Sequence, residues 1–353
     1  VKRAYENLYY KSGYFYSDSN CSDLYKTSMT KLSDAVNHVK DGKSTSLSNM
    51  SKGKIYFKNQ YSHSDETITV PRGYRIAIVR DVSVYSDSSM IDIHGGCTFK
   101  IFVPYSNSNL IIDGGSKTSS GSEGGLFNVN EYSSNHVTLQ GTDANNKNLT
   151  VQNFWSNGVG GAICFDKGTS TIKYCNFKGN KVTSTGTGCK GGAIFIGNDS
   201  NNTHNISDCY FTENEALYSN GGAIRAENGT NSITNCYFES NKAKYGGALA
   251  FCDGTNTVTK CTMRYNATAN KGSGGAIDDY NGKNTYTDCT IENNTCDGVE
   301  GGGFCVNNQG TNDSKITFAG KMVIINNTAS GSKCNVYILS LIHISEPTRH
   351  LRI

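Results

Sequence analysis

Proline is nearly absent: the 353-residue chain has three, beside a single tryptophan. It also has no apolar run of 18 residues, which excludes a transmembrane helix by sequence. No ten-residue stretch repeats its apolar positions every 3.6 residues, which excludes a helical repeat. Charge of one sign is missing as well, since 33 Lys and Arg face 30 Asp and Glu for a formal +3. The basic residues are scattered and lack interleaved aromatics, so there is no nucleic-acid footprint. The 13 cysteines contain no C-x-x-C, and neither EF-hand spacing nor a G-G-x-G-x-D nonapeptide occurs, so the sequence gives no metal site and no cofactor.

What is abundant is Gly, Asn, Ser and Thr, arranged in a repeat. An apolar residue followed three positions later by Asn occurs seven times: Phe154/Asn157, Phe177/Asn180, Phe211/Asn214, Phe238/Asn241, Met263/Asn266, Ile291/Asn294 and Ile324/Asn327. A Gly-Gly pair starts between them at Gly160, Gly191, Gly221, Gly246, Gly274 and Gly301, mostly followed by Ala and an aliphatic residue. The spacings of 31, 30, 25, 28 and 27 residues suit one coil of a parallel β-helix, with strands stacked about 4.8 Å apart. A propeller blade needs about 40 residues or more. Runs such as Thr171–Phe177 read as strands. The fold class expected is all-β: a single-stranded, right-handed parallel β-helix, or solenoid.

The stacking assigns columns. Phe, Met and Ile of the first motif point inward. The Asn sits in a turn, tolerates the left-handed conformation and bonds to the coils above and below. The glycines permit sharp bends with positive φ. Cys175, Cys209, Cys236, Cys261 and Cys289 form a further inward column and read as buried free thiols, because in-register stacking suits disulfide geometry poorly.

The F-x-x-N and G-G-A-I motifs together resemble the repeats of the polymorphic outer-membrane-protein family, over residues 124–338. The resemblance implies a surface adhesin of the kind found in intracellular bacteria, with similar repeats in unicellular eukaryotic parasites. The family's C-terminal membrane barrel is not seen in this sequence. The N-terminal third is similar to the cap of pectate-lyase-type β-helices. There Tyr14–Ser19 reads as a strand, and Leu32, Ala35, Val36 and Val39 share one face of a short capping helix with Thr30 or Ser33 as cap. Lys54–Phe57, Thr67–Val70 and Tyr74–Ile78 read as the first coils.

The domain reading is a cap and first strand over 1–64, the β-helix over 65–338, and a non-native tail over 339–353. That tail, from Leu339 through Arg349, resembles translated sequencing adapter, which implies a metagenomic fragment. The chain opens on Val1 and is expected to begin inside a longer protein. Eleven Asn-x-Ser/Thr sites, Asn148, Asn205, Asn228 and Asn266 among them, and the many cysteines favour an extracellular or cell-surface location.

The positions that follow each Gly-Gly start are the places where these coils can carry chemistry. Offset four gives Cys164, Phe195, Arg225, Ala250, Asp278 and Cys305; offset six gives Asp166, Gly197, Glu227, Cys252, Tyr280 and Asn307; both are expected to face outward. Offset five is an inward apolar column broken by Asp279. Arg225, Glu227, Asp278 and Asp279 are therefore the candidate catalytic residues, since glycoside hydrolysis and lyase chemistry need placed carboxylates and a base. Polygalacturonase-like enzymes carry paired aspartates, but their Gly-His-Gly, Arg-x-Lys and Asn-Thr-Asp elements are missing here. His136 and His204 read as surface residues. The function expected is a non-enzymatic, adhesin-like surface or secreted protein whose partner is a host or environmental surface ligand, carbohydrate included. The alternative is a pectate-lyase-fold polysaccharide lyase or glycoside hydrolase, which predicts a groove over the Asp278–Asp279 face.

Overall fold

The computed structural model describes residues 5–22, 29–62, 65–85, 88–118, 124–186, 188–307 and 315–338. They form a parallel β-helix of four stacked sheets with 12, 10, 9 and 8 strands. One coil runs through all four in turn. In a central coil, Ile224–Ala226 lies in the ten-stranded glycine sheet and Thr230–Thr234 in the nine-stranded threonine sheet. Tyr237–Glu239 lies in the twelve-stranded phenylalanine sheet and Lys242–Tyr245 in the eight-stranded short-strand sheet. Among the described residues, the strands of successive coils pair in parallel, and antiparallel strand pairs occur at the two ends, Asn7–Lys11 with Tyr14–Tyr16 and Thr328–Ala329 with Ser332–Lys333.

Register turns the sequence motifs into columns. Val151, Phe177, Phe211, Phe238, Met263, Ile291 and Ile324 are successive Cα partners. Phe177 and Phe211 stack at 4.9 Å with planes 7° apart, and Phe211 and Phe238 at 5.0 Å and 8°. That separation equals the coil rise within error, so the rings stack because the backbone does. The cysteine column sits beside it, with Leu149 partnering Cys175 below and the backbone of Cys289 against Met322 above. All five thiols are buried and none of the 13 cysteines is in a disulfide.

The first F-x-x-N pair is a correction. Val151, not Phe154, partners Phe177. Phe154 occupies the level of the asparagine column, where its backbone N donates to Asn180 Oδ1 at 3.1 Å, and Asn157 is exposed. The ladder therefore starts at Asn180 and runs through Asn214, Asn241, Asn266, Asn294 and Asn327, all fully buried. From Asn214 upward each Oδ1 accepts both the backbone N and Nδ2 of the ladder residue one coil below, as Asn241 does from Asn214 at 3.0 and 2.9 Å. Nor are these asparagines left-handed. The residue before each carries the positive φ instead: Gly179, Glu213, Ser240, Tyr265, Asn293 and Asn326 at 56–61°.

A second left-handed corner breaks the run Thr171–Phe177, which is two strands, Thr169–Lys173 and Cys175–Lys178, joined at Tyr174 with φ 57°. A residue in that conformation turns the chain without a loop, so propensity alone reads straight through it.

At the N-terminus the helix Leu32–His38 packs Leu32, Ala35 and Val36 into the core, covering an otherwise open first coil. Its cap differs from expectation: Lys31 occupies the cap position with no side-chain bond. The first amides donate instead across space, Leu32 N to the Tyr61 hydroxyl at 2.9 Å and Ser33 N to Glu66 Oε1 at 2.7 Å. The coils thus supply the acceptors that a helix start needs. The strand read over 14–19 spans Tyr14–Tyr16 only. The adapter-like tail 339–353 lies outside the described residues. Among the described residues, no helix is long and apolar enough to cross a membrane.

Candidate functional site

Arg225, Asp278 and Asp279 lie on strands of the glycine sheet and Glu227 directly follows one, but Asp279 faces the core while Arg225 and Asp278 face away from it. Arg225, Ala250 and Asp278 are successive partners in one column, with Phe251 and Asp279 in the next. The expectation that offset four faces solvent is overturned. Cys164, Ala250 and Cys305 are 0% exposed, and Phe195, Arg225 and Asp278 are 5% exposed. The column does point away from the core, but the segments leading into the Gly-Gly pairs fold over it. Ser273 Oγ reaches back to donate to Asp278 Oδ1 at 2.8 Å, and Lys190 pairs with Glu227.

Each charged group is engaged within the fold. Arg225 lies 3.6 Å from Glu227 Oε1, while its Nε and Nη1 are buried without hydrogen-bond partners. Asp279 is fully buried among core side chains, as its column predicts, and accepts from Asn284 Nδ2 and from the Tyr286 hydroxyl, both at 2.7 Å. Burial pushes the Asp279 carboxyl up to about 7, against the pull of those two donors. Burial also pushes Asp278 up to about 6, opposed by Ser273 and Arg225.

These displacements have a measurable sign. Both carboxyls titrate above their unfolded value near 3.8, so the folded chain holds protons that the unfolded chain releases. Their stabilising contribution is whole below about pH 4 and fades as pH rises through 6 and 7. Asp279 alone is expected to cost about 2–3 kcal/mol between pH 5 and pH 8. Urea unfolding at the two pH values checks this: the Asp279→Asn variant should show a clearly smaller drop in midpoint than the parent chain.

The histidines also depart from expectation. His204 is 1% exposed, packs on Phe165 at 4.8 Å and contacts Ser170 Oγ at 2.9 Å. Burial pushes it down to about 3, so it stays neutral. His136 is partly buried between Thr169 and Thr138. Neither contacts the aspartate pair. Burial also pushes the thiols of Cys209, Cys236 and Cys261 well above their ordinary value, so the column holds unreactive thiols rather than thiolates. Among the described residues, no group of three or more His, Cys, Asp and Glu side chains is placed to hold a metal ion.

Sequence reasoning passed over Asp113, Gln152, Asn153 and Trp155. They line cavities on the outer face of the phenylalanine sheet and its edge. The one available signal was that Trp155 is the sole tryptophan.

Sheets, columns and coil length define a parallel β-helical repeat protein. The Chlamydia polymorphic membrane protein repeat matches residues 208–227, a stretch that holds Cys209, Phe211, ladder residue Asn214 and the Gly221–Ile224 motif. Residues 208–227 thus carry one copy of that repeat, and the same cysteine, phenylalanine, asparagine and Gly-Gly columns recur in the neighbouring coils. No curated protein and no solved structure matches it.

Proposed function

We propose that the chain is a non-enzymatic β-helix displayed at a cell surface, where it presents its side-chain columns to a ligand in the manner of an adhesin. One observation carries this reading: Arg225, Glu227, Asp278 and Asp279 are taken up by structural contacts. A lyase or glycoside hydrolase needs carboxylates open to substrate on either side of the scissile bond, whereas Asp279 is in the core at 0% exposure. The repeat match supports a surface setting, because proteins with this repeat are named as membrane proteins.

The test uses the full chain against glycan arrays and cultured host cells, with soluble polysaccharides in parallel. Saturable adhesion without release of reducing or unsaturated sugars is expected. Sugar release that disappears in the Asp278→Ala variant would sink the reading in favour of the enzyme.

A further inference from the structure

A groove runs along the edge where the phenylalanine sheet meets the short-strand sheet. Two cavities of about 680 and 290 Å³ meet there at Asn153, a size that suits a small ligand. The segment 45–48 walls one side with hydroxyls.

The floor is built rather than incidental. Asp113 is 2% exposed. Its Oδ2 accepts from Gln152 Nε2 at 2.6 Å and Asn153 Nδ2 at 2.9 Å, and its Oδ1 from the backbone N of Gly115 at 2.7 Å. With both amide nitrogens held by the carboxylate, the two amide carbonyls are turned away from it as acceptors. Asn153 Oδ1 faces Gly179, where an added Cβ would stand 3.2 Å away.

Gly179 also opens the groove. The left-handed corner column reads Asn153, Gly179, Glu213, Ser240, Tyr265, Asn293 and Asn326. Gly179 is its one residue without a side chain, and the gap it leaves is bordered by Trp155.

Charge narrows the ligand. The two cavities are lined by Lys54 and Lys181 against Asp113, Glu213 and Glu215, and Lys181 is already paired with Glu215 at 2.5 Å. Glu213 lies 3.6 Å from Lys178, which leaves the lining near charge balance, and an acceptor-rich floor of that kind suits a neutral ligand that brings hydroxyl donors better than uronates, sulfates or phosphates. The indole of Trp155, with the Lys181 ammonium 5.7 Å from its centre, supplies apolar area for the C–H face of a sugar ring.

We propose that this groove binds a neutral oligosaccharide, with a sugar ring against Trp155 and ligand hydroxyls donating to the Gln152 and Asn153 carbonyls. The proposal deepens the ligand-binding reading above by giving it a site and a ligand class. It uses a face of the molecule different from the Asp278–Asp279 column.

Because Trp155 is the only tryptophan, occupancy reads directly as a change in intrinsic fluorescence. The full chain is titrated with hexasaccharides of glucose, mannose, xylose and N-acetylglucosamine, and with hexagalacturonate as the anionic contrast. A saturable change with at least one neutral hexasaccharide is expected, and none with hexagalacturonate. Binding should fall about tenfold or more in Trp155→Ala, followed by calorimetry. It should also fall in Gly179→Asn, which restores the side chain that this corner carries at Asn153, Asn293 and Asn326. Circular dichroism confirms that both variants are folded.

Equal binding by the folded variants overturns the proposal, as does tighter binding of hexagalacturonate. No response to any neutral hexasaccharide overturns it too. If that silence accompanies adhesion to arrays or cells, the groove fails while the surface-binding reading stands. If adhesion is lost as well, both fail.

Discussion

Gly222→Ala is expected to destabilise the chain by more than about 4 kcal/mol and to yield largely insoluble protein. The two glycines of each pair do different work. Gly221 has φ 72°, the left-handed bend that the motif suggested. Gly222 has no such φ, yet a Cβ on it would lie 2.0 Å from the Gly247 carbonyl oxygen and 2.7 Å from the backbone N of Lys242. The same contact recurs up the column: Gly161 would meet the Gly192 oxygen at 2.0 Å, and Gly275 the Gly302 oxygen at 1.9 Å. Those obstacles are backbone, so relief requires coils to separate and breaks the hydrogen bonds between them. Gly13→Ala is the internal control. Gly13 has φ 90° but no atom within 4 Å of an added Cβ, so only conformational strain of about 1–2 kcal/mol is expected there. Chemical denaturation of both variants checks the ranking. Similar midpoints would show that bend rather than close approach selects glycine.

The asparagine ladder is expected to be nearly as sensitive. Asn241→Leu keeps volume and burial but removes the acceptor for Asn214 N and Nδ2 and the donor to the Phe211 carbonyl. With the Asn241 Nδ2 donor to Asn266 Oδ1 also gone, four buried polar groups lose a partner; at about 1–3 kcal/mol for each left unsatisfied, about 4 kcal/mol in total is expected. Asn241→Asp keeps the acceptor and should separate the causes. Its second oxygen would face the Phe211 carbonyl and Asn266 Oδ1, which favours the protonated acid. The folded carboxyl then titrates above its unfolded value, so this variant should be closest to the parent below about pH 4 and weaken as pH rises. A pH-independent loss would contradict the ladder geometry. Denaturation midpoints at pH 4 and pH 7 decide it.

How legible all this was in the sequence depended on whether a residue acts within its own column. Phe211, Phe238, the five cysteines and Asp279 could be placed because stacking repeats each environment coil after coil. Phe154 could not, because the motif alone carries no register. Phe154 and Phe177 are 23 residues apart, the shortest interval of the set, against 34 between Phe177 and Phe211. That compressed interval was the available warning. Burial of Arg225 and Asp278 was illegible for another reason. Their cover comes from connecting segments whose path over the sheet, such as Ser273 bending back to Asp278, follows no period. The groove at Asp113 and Trp155 joins the segment 45–48 to side chains more than 60 residues away, and no local pattern announces such a meeting.

The stacked register has a further consequence. Every coil from Asn180 to Asn327 offers its neighbours the same ladder residue above and below. Deleting or duplicating one whole coil would therefore reconnect like with like. The molecule can change length in steps of about 4.8 Å while keeping its phenylalanine and asparagine core columns in register. A gene built of such units can vary how far its product reaches by recombination alone, without having to evolve a new junction.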